Sequence, residues 1–221
     1  MNIVIIGSGK IGSNIGRRAA EAGHRVIFSF SRDGASLNRL ANSVGYGAMT
    51  GRPRDARDAD IVVLSVPWEA IDTALEEAGS LSEKIVADTT NHFAGGCMSK
   101  DEVVSTGEYN QKRMPGARVV KAFNTLTANF QSTAKAQDGV TAMFISGDDK
   151  AAKEAVSELV RTVGFEPVDL GGWKIASLMD APRRDGAVYG EAYTPDDARQ
   201  IANAAAKDIQ AARSLAIGLR K

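Results

Sequence analysis

The chain has 221 residues, 43% of them hydrophobic, and 27 Lys and Arg balance 27 Asp and Glu. That length suits one large domain or a domain with an appendage, and the balanced charge lacks the basic excess that nucleic acid or an anionic membrane would attract. One cysteine (Cys97) excludes an internal disulfide and a multi-cysteine metal site, and two histidines (His24 and His92) argue against a histidine zinc site or a Ser-His-Asp triad.

No apolar run is long enough to span a bilayer, and Met1 leads directly into a strand, so a cytoplasmic protein without a signal peptide is expected. That strand, Ile3-Val4-Ile5-Ile6, stops at Gly7-Ser8-Gly9-Lys10-Ile11-Gly12. A helical pattern follows, with Ile11, Ile15, Ala19 and Ala22 on one face and Gly23 as its stop. A second strand, Arg25 to Phe28, ends at Ser29-Phe30-Ser31-Arg32. Strand, glycine turn, helix and strand make the half-fold that holds a dinucleotide. Gly7 permits the sharp turn, Gly9 lets a pyrophosphate approach the backbone, and Gly12 lets the helix close on the strand. The free amides and positive end of the helix then face the phosphates.

NAD-binding chains usually carry an acidic residue at the tip of the second strand, ~20 residues after the glycines. Here the tip is Ser31-Arg32, a hydroxyl and a guanidinium suited to a 2′-phosphate, so NADP is expected. Asp33 then serves as the cap of a helix over residues 34–45, with Leu37, Leu40, Ala41 and Val44 in register. Residues 46–59 hold at most a short strand near Ala48-Met49.

Asp60 to Val66 is a near-continuous apolar run, the mark of a strand covered on both faces. Pro67 opens a helix from Trp68 to about Ala78, and Lys84 to Asp88 is the next buried strand. Ligands in open α/β sheets bind at the carboxyl ends of strands, which singles out Ser65-Val66-Pro67-Trp68 and Asp88-Thr89-Thr90-Asn91-His92. His92 reads equally well as a polar loop residue. A loop is expected over 93–107 and a short helix over 108–114.

Arg118 to Lys121 is a further strand whose exit is Ala122-Phe123-Asn124-Thr125. The Asn124 amide offers both a donor and an acceptor to a nicotinamide carboxamide or a second substrate. A weakly amphipathic helix over roughly 126–135, a strand over 141–146, a helix from Asp149 to Gly164 and a short strand over 166–170 follow. The pattern predicts an α/β fold, a doubly wound and mostly parallel sheet with helices on both faces. Residues 1–170 form its nucleotide-binding part and 171–221 a C-terminal loop and helix that serve the acceptor site or dimerisation. The loop holds Trp173, Arg183-Arg184, Tyr189 and Tyr193, which can clamp an anionic planar ring or merely pack. A single helix is expected from Pro195 to about Leu219.

Gly7 to Gly12, Ser31-Arg32, Val66-Pro67 and especially Val119-Val120-Lys121-Ala122-Phe123-Asn124-Thr125 resemble the F420-dependent NADP reductase family. Related to it are the oxidoreductase domain of ferric-reductase membrane proteins and, more distantly, pyrroline-carboxylate reductases. The resemblance implies a Rossmann domain with NADPH at the glycine turn and Ser31-Arg32. It also implies coenzyme F420 or a flavin stacked on the nicotinamide near Asn124, and a homodimer formed through the C-terminal part. The cofactor contacts expected are Gly7, Ser8, Gly9, Lys10, Ile11, Gly12, Ser31, Arg32, Ser65, Val66, Pro67, Thr89, Asn91, Ala122, Phe123 and Asn124. Positioning falls to Asn124, Thr125 and Thr90, with no obligatory side-chain acid, since the cofactor supplies the chemistry. The family's Gly-Pro-Leu turn is replaced here by Leu170-Gly171-Gly172-Trp173, which bears on the second substrate. A reductase of a small imine or carbonyl and a non-catalytic NADPH-binding module are the alternatives.

Overall fold

A computed structural model of the chain describes residues 1–31, 33–94, 97–98, 105–133, 141–180 and 188–220. The first half runs β1 (Asn2–Ile6), α1 (Lys10–Glu21), β2 (Arg25–Ser29), α2 (Gly34–Val44), β3 (Met49–Thr50), β4 (Ile61–Leu64), α3 (Ile71–Ala78) and β5 (Ile85–Asp88). It continues with β6 (Phe93–Ala94), β7 (Cys97–Met98), α4 (Thr106–Arg113), β8 (Arg118–Lys121), α5 (Ala128–Thr133) and β9 (Ala142–Ser146). The last elements are α6 (Lys150–Val163), β10 (Glu166–Gly171), α7 (Pro195–Ala205) and α8 (Ile209–Gly218).

Among the described residues the main sheet has eight strands, in the order β10-β9-β8-β5-β4-β1-β2-β3. All neighbouring pairs are parallel except β8 and β9, where Lys121 faces Ser146. This is a Rossmann-type fold. Alternation along the strands fills both faces. Ile3 and Ile5 pack with Ile15, Ala19, Val156 and Val160. Val4 and Ile6 pack on the other side with Ile71, Ala74 and Ala78. The chain leaves β1 for β2 on one side and reaches β4 on the other, which opens the crevice at the carboxyl ends.

Several elements differ from the sequence expectation. Residues 46–59 hold a 3₁₀ helix over Pro53–Asp58 as well as the short strand. The helix expected from Trp68 begins as a 3₁₀ turn over Trp68–Ala70 before α3. The stretch expected to be loop contains the β6–β7 hairpin, and α4 starts at Thr106 because the Ser105 side chain caps it. The single C-terminal helix is two. The Asp208 side chain accepts a bond from the Gln210 amide at 2.8 Å and starts α8 afresh. Alanines of both helices pack against Phe144, Val168 and Leu170 of the sheet edge. No helix among the described residues is long and apolar enough to cross a membrane.

The start of α6 is held by charge. Arg118 donates from Nε to Asp149 Oδ2 at 2.7 Å and from its terminal nitrogen to Oδ1 at 2.8 Å, while Ala152 N donates to Oδ1 at 2.8 Å. These bonds, Arg118 foremost, hold the Asp149 carboxyl far below the usual carboxylate range. The folded-state pKa lies below the unfolded one, so this stabilisation is present above pH ~4 and fades as the pH falls further. Asp149→Ala is expected to cost about 1 kcal/mol, the size of a lost cap, and so about 2–4 °C in melting temperature at neutral pH. Melting curves should show the gap to wild type closing in acid, and a pH-independent gap would refute the ionic account.

Candidate functional site

The glycine turn separates two jobs by geometry. Gly7 has φ +108°, and a Cβ there would sit 2.2 Å from the Ser65 carbonyl oxygen. A Cβ on Gly12 would sit 2.2 Å from the Gly7 carbonyl oxygen. Both glycines are therefore needed for β1, β4 and α1 to close together. Gly9 differs: its backbone is extended and nothing lies within 4 Å of where a Cβ would be. It is the N-cap of α1 and makes no side-chain cap bond, so the first-turn amides are left for an anion.

Beside Gly9 opens a cleft of about 410 Å³. Its walls come from the glycine turn, the exits of β4, β5 and β8, and the start of α5. Of the residues expected from the sequence, Gly9, Lys10, Ile11, Ser65, Val66, Pro67, Thr89, Thr90, Asn91, Phe123 and Asn124 line it. Gly7, Ser8, Gly12, Ser31, Ala122 and Thr125 do not. Ala122 is fully buried, and the Thr125 hydroxyl turns inward to Met143 Sδ at 3.8 Å. Arg32, Arg183 and Arg184 lie outside the described residues. Trp68, Glu69, Phe93, Leu126, Thr127, Ala128 and Tyr189 complete the lining. The apolar members at the start of α5 have no polar signature to mark them. Trp68 and Tyr189 were visible as aromatics in ligand-edge loops.

At the β2 tip, Ser31 Oγ and Ser36 Oγ are 2.8 Å apart. Each Asp33 oxygen already accepts a bond: Ala35 N donates to Oδ1 and Arg39 donates to Oδ2, both at 2.9 Å. Its carboxylate acts as the cap expected from the sequence. Ribose hydroxyls would have to share these oxygens with Ala35 N and Arg39.

Beneath the cleft lies a buried ionic network. Asp88 and Lys121 face each other across β5 and β8, and both are fully buried. Lys121 Nζ donates to Asp88 Oδ2 at 3.0 Å and to the Thr90 carbonyl. Thr90 N donates to Asp88 Oδ1 at 2.9 Å. From α4, Asn110 Nδ2 donates to Asp88 Oδ2 at 2.9 Å and to Thr90 Oγ1 at 3.0 Å. The N-terminus of α4 is tied to the C-terminal segment, since Thr106 donates from N (3.0 Å) and from Oγ1 to Asp180. Burial pushes the Asp180 carboxyl up, against the opposing pull of Lys121 and Thr106.

The β8 exit is strained and braced. Phe123 adopts φ +60°, a left-handed conformation costing an aromatic residue about 1–2 kcal/mol. Gln131 Nε2 donates to the Phe123 and Leu126 carbonyls at 2.9 and 2.8 Å. Asn91 Nδ2 donates to the Asn124 carbonyl at 3.0 Å, and Asn124 Nδ2 donates to Asn91 Oδ1 at 3.1 Å and to the Met179 carbonyl at 2.7 Å. Asn124 is thus a latch between the exit and the C-terminal segment. Its Oδ1 has no partner among the described residues. At the outer wall Trp68 is held by His92 (centroids 4.6 Å apart) and by the Arg113 guanidinium, 4.8 Å above its ring. Phe93 and Tyr189 pair at 6.3 Å.

A family model described as NADP oxidoreductase, coenzyme F420-dependent, matches residues 2–92. A hypothetical protein from Sinorhizobium meliloti superposes with a TM-score of 0.78 and 30% identity, over 89% of this chain and 96% of the other. A candidate F420-dependent NADP reductase from Arthrobacter sp. FB24 superposes with a TM-score of 0.68 and 28% identity, over 80% and 87%. The metalloreductase STEAP3 of Rattus norvegicus is 28% identical over 177 residues, 80% of this chain but only 35% of that protein, so the chain spans about a third of that relative's length.

Proposed function

The chain belongs to the coenzyme F420-dependent NADP oxidoreductase family and is an NADP-dependent oxidoreductase; from that premise we propose that it passes hydride between NADPH and a planar ring, coenzyme F420 or a flavin. Gly9, Lys10 and Ile11 would hold the pyrophosphate, and Ser31 and Arg32 would hold the 2′-phosphate. Thr89, Thr90, Asn91, Phe123 and Asn124, at the β5 and β8 exits, would hold the nicotinamide. The observation that carries this reading is the continuity of one cleft from the open face of Gly9 to Thr90 and Asn124.

When bound, the dihydronicotinamide supplies the hydride and the acceptor ring takes it with a proton, so this chain's residues need only hold two rings in register and keep water away. Trp68 on one side and Phe93 with Tyr189 on another supply apolar walls for such rings. Mixing the protein with NADPH under anaerobic conditions and adding coenzyme F420, FMN or FAD in turn should oxidise NADPH with at least one of them. Tight NADPH binding without oxidation by any ring would overturn the proposal. Oxidation by a small imine or carbonyl instead would move the protein to that substrate class.

A further inference from the structure

Thr90 is held at every polar atom that the cleft does not use. Asp88 Oδ1 takes its amide proton, Lys121 Nζ donates to its carbonyl, and Asn110 Nδ2 donates to its hydroxyl oxygen. The polarity of that last bond is fixed. Asn110 Nδ2 also faces Asp88 Oδ2, a carboxylate oxygen paired with Lys121 that can only accept, while Arg113 donates to Asn110 Oδ1 at 3.4 Å. The Asn110 amide therefore cannot be turned over without placing acceptor against acceptor and donor against donor. With Asn110 donating, the Thr90 hydroxyl must direct its own single proton elsewhere, and Thr90 lines the cleft.

We propose that Asn110 is a positioning residue that commits the Thr90 hydroxyl as a hydrogen-bond donor into the cleft, and that the ligand atom it meets is an acceptor on a planar ring or its substituent, a carbonyl oxygen or a ring nitrogen lone pair. The inference rests on the ring-to-ring reading above and adds the polarity of recognition. The ion pair Asp88–Lys121 is the anchor of this arrangement, and α4 delivers Asn110 to it because Asp180 secures Thr106 at the helix start. The atom can belong to the carboxamide of the nicotinamide or to the acceptor ring, and the two sources separate by titration.

The test is calorimetric titration of the folded protein with NADP⁺, FMN and coenzyme F420, alongside Thr90→Val and Thr90→Ser. Thr90→Val keeps the shape but removes the hydroxyl, and should weaken one of the three ligands about tenfold or more, the value of a well-made buried hydrogen bond. Thr90→Ser should restore affinity. A loss confined to NADP⁺ places the acceptor atom on the nicotinamide, and a loss confined to one ring places it there. Affinities unchanged for all three would overturn the proposal. Asn110→Ala supplies a cycle with Thr90→Val: if Asn110 acts through the hydroxyl, its loss adds little in the valine background. Fully additive losses would show that Asn110 acts independently of the hydroxyl, and a lower melting temperature with unchanged affinities would show a merely structural role; either would overturn the positioning role. Should Asn110→Ala fail to fold, the valine and serine pair still decides. Because these are binding measurements, they stand even if no acceptor turns over, an outcome that strikes the hydride reading alone.

Discussion

Gly9→Val is expected to cut NADPH affinity on the order of a hundredfold or more and to leave the melting transition essentially where it is in wild type. The backbone at Gly9 is extended, a conformation valine accepts, and the space around its missing side chain is open within 4 Å, so folding meets no obstacle. That space is where a pyrophosphate must come to reach the amides of the first turn of α1. Isopropyl bulk there removes phosphate bonds worth about 1.5–3 kcal/mol each, and two such bonds correspond to roughly a hundredfold or more in affinity. Gly12→Val should do the reverse. Its Cβ would fall 2.2 Å from the Gly7 carbonyl oxygen and 3.0 Å from an Ile5 methyl carbon, so α1 would have to leave β1. The expected result is a loss of several kcal/mol of stability, as large as overpacked cores show. Thermal melts and NADPH titration of the two variants separate the roles. If Gly9→Val binds NADPH as well as wild type, the glycine turn is architectural and the phosphate lies elsewhere.

This division was half legible before any coordinates. The spacing of Gly7, Gly9 and Gly12 is a local feature, set by one turn between one strand and one helix, and local features survive in sequence. The tips of β4, β5 and β8 were legible for a related reason: continuous apolar strands end abruptly at polar residues, and parallel sheets bind at those ends. What stayed hidden depends on contacts between distant segments. The α4 sequence Thr106–Arg113 has no apolar stripe, so its periodicity looks like that of a surface helix. Its buried face is polar, Thr106 and Asn110, because it meets Asp180 and Asp88, residues 74 and 22 positions away. No reading of the helix alone finds that. The C-terminal break was hidden differently. Ala204 to Ala206 runs on as strong helix former past the end of α7 at Ala205, and only Asp208, a capping residue type, marks the restart. Asn124 was singled out for its amide, yet the structure spends both amide hydrogens on Asn91 and Met179, a latch that sequence proximity could not show.

Arg32→Ala is expected to weaken NADPH by about tenfold to a hundredfold, the value of one charge-assisted contact to a phosphate, and to leave NADH within about twofold. The argument starts from what is missing at the β2 tip. A preference for NADH would need a carboxylate free to accept from the ribose hydroxyls, and Asp33, the one acidic residue there, has one oxygen on Ala35 N and the other on Arg39. Ser31 Oγ and Ser36 Oγ, 2.8 Å apart, offer neutral hydroxyls to a 2′-phosphate, and the carboxylate beside them is already paired with Arg39. Arg32 follows Ser31 directly in the sequence and is the cation proposed for the phosphate. Only NADPH carries the phosphate, so the ratio of the two dissociation constants isolates the contact from any general damage to the fold. Ionic strength gives a second axis. The wild-type preference for NADPH should shrink as salt screens the pair, and the alanine variant should show little salt dependence of that ratio. Equal losses for both nucleotides would mean that Arg32 supports the loop and that the 2′-phosphate is recognised by other residues.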